Sequence, residues 1–306
     1  MDPLPEFPLS VPNHAGQPND PDDIYFGDTS EIGKVASAQT NLNRTRGFRK
    51  WPGARIGMVI LGAFLGLVPG GIAWAILEDQ DRALANEYGW IALAAGALLG
   101  AVLFAWLGRP WQACTFVAER GFLRVKRREG KLKIDRLRFD DAAELRLRQT
   151  RNYYNGVYTG TSFDYRWRDA QGRVLFAITG MFKESAKKPP KPDNAIHFAQ
   201  AAEAAWLHFR LPQVLESVQA GQEVRFPVGK GRYLAVGRGY LELGLKGEPR
   251  RLEPADVEVL KLDQGWLTIK PKGAGWFGSS KVMFADIGDG KIFLALVEKH
   301  LGLTIA

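Results

Sequence analysis

The sequence predicts an α+β protein: a two-helix transmembrane hairpin, then two similar units, each an antiparallel bent sheet or partial barrel closed by a C-terminal helix. Three observations predict it. Ile56–Leu77 and Tyr88–Gly108 contain no charged residue. At about 1.5 Å of rise per residue, each run would cross a hydrocarbon core of roughly 30 Å. Downstream, apolar and polar residues alternate in short runs separated by turn residues, the period of antiparallel strands. The order of strands followed by an apolar-striped helix then occurs twice.

Met1–Asn43 is rich in Pro, Asp, Asn and Gly and has no apolar periodicity, which predicts a disordered cytoplasmic tail. It lacks the apolar core of a signal peptide. Residues 44–55 form a basic juxtamembrane segment containing Arg44, Arg46, Arg49, Lys50 and Arg55. The turn between the spans, Glu78-Asp79-Gln80-Asp81-Arg82, is acidic, and Arg109 follows the second span. Because cationic residues stay on the cytoplasmic side, both termini are expected there. Trp51, Trp74, Tyr88, Trp90 and Trp106 lie near the span ends, where amphipathic rings favour the headgroup level.

Gly62, Gly66 and Gly70 recur every four residues, as do Ala92, Gly96 and Gly100. Small residues at this spacing let two helix backbones approach closely in lipid, so the hairpin packs on itself or the seam makes a homo-oligomer. Pro69-Gly70-Gly71 predicts a kink. Neither span holds an ionisable residue, which argues against a transporter or channel.

The first soluble unit, residues 109–220, has strands expected around Thr115–Val117, Arg120–Val125, Lys131–Phe139, Glu144–Arg148, Phe163–Trp167 and Val174–Ile178. Asn155-Gly156 is a tight-turn signal, although Tyr153–Gly160 reads as a longer loop. After the Pro/Lys linker, Asp193 or Asn194 caps a helix whose stripe is Phe198, Ala202, Ala205, Trp206 and Phe209. Pro212 is expected to open a second short helix. The second unit, residues 221–306, begins its strands near Glu223. Its Arg238-Gly239-Tyr240-Leu241-Glu242-Leu243 echoes Arg120-Gly121-Phe122-Leu123-Arg124-Val125. A closing helix, capped by Asp289 and ended by Gly302, buries Phe293, Leu296 and Val297.

Leu215–Phe226, Gly239-Tyr240-Leu241, Ala255-Asp256-Val257 and Phe293–Val297 resemble an uncharacterised bacterial family of membrane proteins with tandem pleckstrin-homology-like (PH-like) domains. The resemblance implies a scaffold and no reaction.

The formal charge of +8 over 306 residues fits a protein close to an anionic membrane face. Nucleic acid is the other partner of a basic chain, and membrane tethering argues against it. The single Cys114 excludes an intramolecular disulfide and a multi-cysteine metal site; it is a small apolar residue or a palmitoylation point after the second span. His197 and His208 are too far apart in sequence for a helical metal pair. No catalytic or cofactor motif is recognisable. Gly273-Ala-Gly275-Trp-Phe-Gly278 satisfies GxGxxG, but a strand follows it, leaving no helix N-terminus for a pyrophosphate.

Two groups remain as lipid- or partner-binding candidates. Arg124, Lys126, Arg127, Arg128, Lys131 and Lys133 form a basic cluster on adjacent strands. Lys272 and Lys281 flank a loop tipped by Trp276 and Phe277, where cations beside aromatics suit anionic headgroups. The expected function is a non-enzymatic adaptor or sensor anchored in the membrane, presenting its domains to a protein partner or an anionic phospholipid. The alternative is an envelope assembly protein that oligomerises through the glycine-rich hairpin.

Overall fold

The computed structural model describes residues 6–7, 9–43, 47–48, 53–107, 111–128, 131–184, 189–229, 231–245, 247–275 and 278–305. Arg44, Arg46, Arg49, Lys50, Trp51, Arg109, Trp276 and Phe277 lie outside them.

The protein is α+β, with two long apolar helices and several antiparallel sheets. Strand β1 (Val35–Thr40) precedes helices α1 (Gly53–Gln80) and α2 (Arg82–Leu107). The first unit continues with β2 (Gln112–Ala118), β3 (Gly121–Arg128), β4 (Lys131–Arg138), β5 (Glu144–Tyr154), β6 (Val157–Arg168), β7 (Val174–Phe182) and α3 (Ala195–Gln219). The second holds β8 (Val224–Gly229), β9 (Arg232–Gly237), β10 (Tyr240–Gly244), β11 (Arg250–Leu252), β12 (Val257–Asp263), β13 (Trp266–Pro271), β14 (Ser280–Met283) and α4 (Gly290–Leu301).

Both units pair four strands in one sheet and three in another. The orders are β1-β2-β3-β4 with β7-β6-β5, then β8-β9-β10-β11 with β12-β13-β14. The sheets form no closed barrel among the described residues. One helix follows each set of strands, and the two units share one core: Phe122, Trp167 and Trp206 belong to the same buried cluster as Phe226, Leu267 and Phe293.

Helices α1 and α2 are long and apolar enough to cross a membrane, and only 17% and 6% of their most apolar windows are buried. A core helix of a soluble protein would show the opposite. The helices extend past the apolar runs on both sides of the turn, and only Asp81 separates them. Its carboxylate accepts the Ala83 N–H at 2.9 Å and the Leu84 N–H at 3.2 Å, capping α2. α1 runs unbroken as a helix through Pro69.

The glycine seam lies inside the hairpin. A side chain on Gly66 would run into the Gly96 carbonyl oxygen, and one on Gly100 into that of Gly62. At Gly70, a Cβ would lie 2.7 Å from the Ala92 carbonyl oxygen. Gly62, Gly66, Gly70, Gly96 and Gly100 therefore form a backbone-to-backbone contact within one chain, the self-packing alternative of the two. Their small size is consumed there.

The expected disordered tail needs correction. Strand β1 adds to the edge of β2, with Ala38 opposite Phe116 and Thr40 opposite Cys114. Tyr25, Phe26, Ile32, Ala38 and Leu42 are buried with Phe116, Leu123 and Val125 in a second cluster on the other face of this sheet. The residues that looked disordered are turn builders. Asn13 accepts from the Ala15 and Gln17 N–H groups, Asp20 from that of Asp22, and Asp28 from that of Ser30. His14 bonds the hydroxyls of Ser37 (2.8 Å) and Thr115 (2.9 Å) and lies against the Phe198 ring. Cys114 is fully buried in this cluster, where it is out of reach of an acyl chain.

Three local expectations also change. Asn155 and Gly156, both at positive φ (46° and 78°), make a two-residue hairpin between β5 and β6. Pro212 sits inside α3 and opens no second helix. Asn194 caps α3 through the Ile196 N–H, whereas Asp289 precedes α4 without capping it.

Candidate functional site

The alternation of β3 divides the basic cluster between two faces. Leu123, Val125 and Arg127 point towards the N-terminal layer, and Arg127 bonds Gln112 at 2.6 Å beneath which Phe26 lies, 4.6 Å from the guanidinium. Arg124, Lys126 and Arg128 share the opposite face. Arg124 is neutralised by Asp135 at 3.0 Å and rests over the Phe176 ring.

Cross-strand pairing assembles the remainder. Lys126 stands opposite Lys133, and Arg128 opposite Lys131. Lys133 reaches Asp135 at 3.9 Å, a carboxylate already engaged by Arg124. Like charges placed directly opposite are unfavourable in a sheet. Burial, with Arg124 and Lys133 adding to it and Asp135 opposing, holds the Lys126 ammonium below the ordinary lysine value. Lys126, Arg128, Lys131 and Lys133 therefore form a compact cationic edge.

The position of that edge follows from strand direction. Five peptide steps join Leu107, the last residue of α2, to Gln112, the first of β2, a reach of at most about 18 Å. Gln112 is the register partner of Arg127, beside the β3–β4 tip. The cationic edge thus lies at the end of the sheet nearest the apolar hairpin.

Lys272 and Lys281 belong to a different sheet. The Lys272 N–H bonds the Asp256 carbonyl at 2.7 Å, and Lys281 stands opposite Thr268 on β14. Lys281, Lys261 and Trp266 line a shallow concavity of about 450 Å³. The structure does not gather these two lysines with the β3–β4 cluster.

The joint between the units is invisible to sequence patterns. Asp289 Oδ1 accepts the Trp206 indole N–H at 2.8 Å and the Leu145 N–H at 2.9 Å, while the Asp289 N–H donates to the Leu145 carbonyl. Burial pushes its carboxyl up to about 6, against the opposing pull of those two donors and of Arg210. Glu203 is buried and held by Lys291 at 2.8 Å, and burial raises its carboxyl too. These contacts bind α3 of the first unit to the start of α4 in the second.

Neither family models nor curated proteins match this sequence.

Proposed function

We propose that this protein is a non-enzymatic adaptor or sensor anchored in a bacterial inner membrane by α1 and α2, with both termini cytoplasmic. Its two PH-like units present a surface to a protein partner while the cationic edge of β3 and β4 lies on anionic headgroups. One observation carries the reading: Lys126, Arg128, Lys131 and Lys133 sit at the end of their sheet that the chain enters five residues after α2. Lysine and arginine near an anionic leaflet contribute about 1 kcal/mol each within a Debye length. Four such residues, held against the surface by a covalent anchor, bind at high effective concentration. The duplicated four-strand, three-strand and helix order supports the PH-like assignment.

The test uses the full chain, because strand β1 precedes the hairpin and a fragment starting after α2 would lose it. In nanodiscs, hydrogen exchange across 121–138 is expected to slow when neutral lipid is replaced by anionic lipid. High salt or the Lys126→Glu, Lys133→Glu double variant is expected to reverse the effect. Equal exchange in neutral and anionic discs would remove the headgroup from the proposal.

A further inference from the structure

The groove between the two units is lined by more guanidinium groups than carboxylates. Arg168, at the end of β6, and Arg210, in α3, line one groove of about 430 Å³. The Nε–H of each is buried and meets no acceptor among the described residues. Arg210 directs one terminal nitrogen to the Gln213 amide oxygen at 3.1 Å. A buried guanidinium N–H without an acceptor is costly, and such groups in folded proteins nearly always have a partner.

The carboxylates on the groove wall are already occupied. Glu144 is held by Arg146 at 2.7 Å, and Asp169 by Arg173 at 2.7 Å. Asp289 accepts from Trp206 and Leu145. Local backbone geometry also singles out Arg168: the register of β6 against β7 shifts between Trp167 and Arg168. A bulge of this kind redirects a side chain relative to its strand.

We propose that this inter-unit groove binds a small phosphate-bearing anion through Arg168 and Arg210. The planar guanidinium fork matches phosphate oxygens bidentately, and two forks on one groove answer the charge of one phosphate group or a phosphoanhydride. The source is soluble. Strand β4 carries the chain roughly 23 Å from Lys131, at the cationic edge, before it turns into β5 at Glu144 on the groove wall. Arg168 and Arg210 both belong to the first unit, and the rest of the groove wall includes Phe226, Pro227 and Asp289 of the second, so a bound anion would sit against the joint between the units.

Inorganic pyrophosphate is the probe, titrated calorimetrically into the full chain in neutral-lipid nanodiscs. Saturable binding is expected, weakened at least tenfold in Arg168→Gln and in Arg210→Gln. Absence of binding, or equal binding by wild type and both variants, overturns the proposal. A footprint on the wild-type chain guards against variants that fold poorly. Pyrophosphate is expected to slow phenylglyoxal modification of Arg168 and Arg210 several-fold, and unchanged modification overturns the site. If anionic lipid alone gives the same protection, the soluble source is wrong. This outcome is separate from the exchange test on β3 and β4, whose residues do not line the groove.

Discussion

Trp206 and Asp289 are 83 residues apart in sequence, yet the indole N–H of one donates to the carboxylate of the other at 2.8 Å. The same oxygen takes the Leu145 N–H, so one side chain ties β5, α3 and the start of α4 together. Asp289 itself sits at φ 53°, in the left-handed region that asparagine and aspartate tolerate better than other side chains.

The Asp289 joint makes a two-variant prediction. Asp289→Ala strands two donors and should destabilise the protein by about 2–5 kcal/mol. Asp289→Asn keeps an acceptor oxygen and removes the buried charge, so near neutral pH it should match or exceed wild type. The sign with pH follows from the raised carboxyl: its stabilising effect is complete below the ordinary value of 3.8 and is lost as pH rises through about 6. Thermal denaturation of wild type and Asp289→Asn in micelles should therefore show the variant gaining on wild type between about pH 4 and 6, with no further change above about pH 7. A pH-independent difference would contradict this.

The glycine seam predicts where added volume is tolerated. Gly66→Ala places a methyl against the Gly96 carbonyl, whereas the Cβ position at Gly71 meets nothing closer than the Leu93 Cδ2 at 4.0 Å. Gly66→Ala should cost about 1–3 kcal/mol as the helices separate, and Gly71→Ala should cost little. Cross-linking efficiency between cysteines introduced into α1 and α2 measures the separation. Equal efficiency in the two variants would show that the seam is not the packing surface.

The N-terminal layer should loosen in acid. Burial, with His197 adding to it, drives His14 down to about 3. The unfolded chain takes up the proton first, so stability is complete above the ordinary value of 6.5 and falls as pH drops towards the folded value. The loss reaches about 2 kcal/mol by pH 5. In His14→Gln this part of the acid slope should vanish in the same denaturation experiment.

Much of the architecture was legible because it depends on local periodicity. Uncharged runs of helical length announced α1 and α2, and period-two alternation announced most strands of both units. Candidate sites fared unevenly. The basic cluster was visible as composition, but its division into an outward edge, an Asp135-paired Arg124 and an inward Arg127 depends on pleat and register. Arg168 and Arg210 are 42 positions apart and come to line one groove only once α3 packs against the strands of its own unit.

The apolar hairpin, the duplicated order of strands and helix, and the glycines that let two helix backbones touch all follow from the spacing of residues along one element. That the N-terminal segment is a folded layer follows instead from long-range packing. Its Tyr25, Phe26 and Ile32 have no period of their own and are buried in a cluster completed by Phe116, Leu123 and Val125 of β2 and β3, far along the chain. Long-range packing also decides that the two units share one core joined through Asp289. Burial of isolated side chains and the satisfaction of single donors depend on partners that local pattern cannot supply.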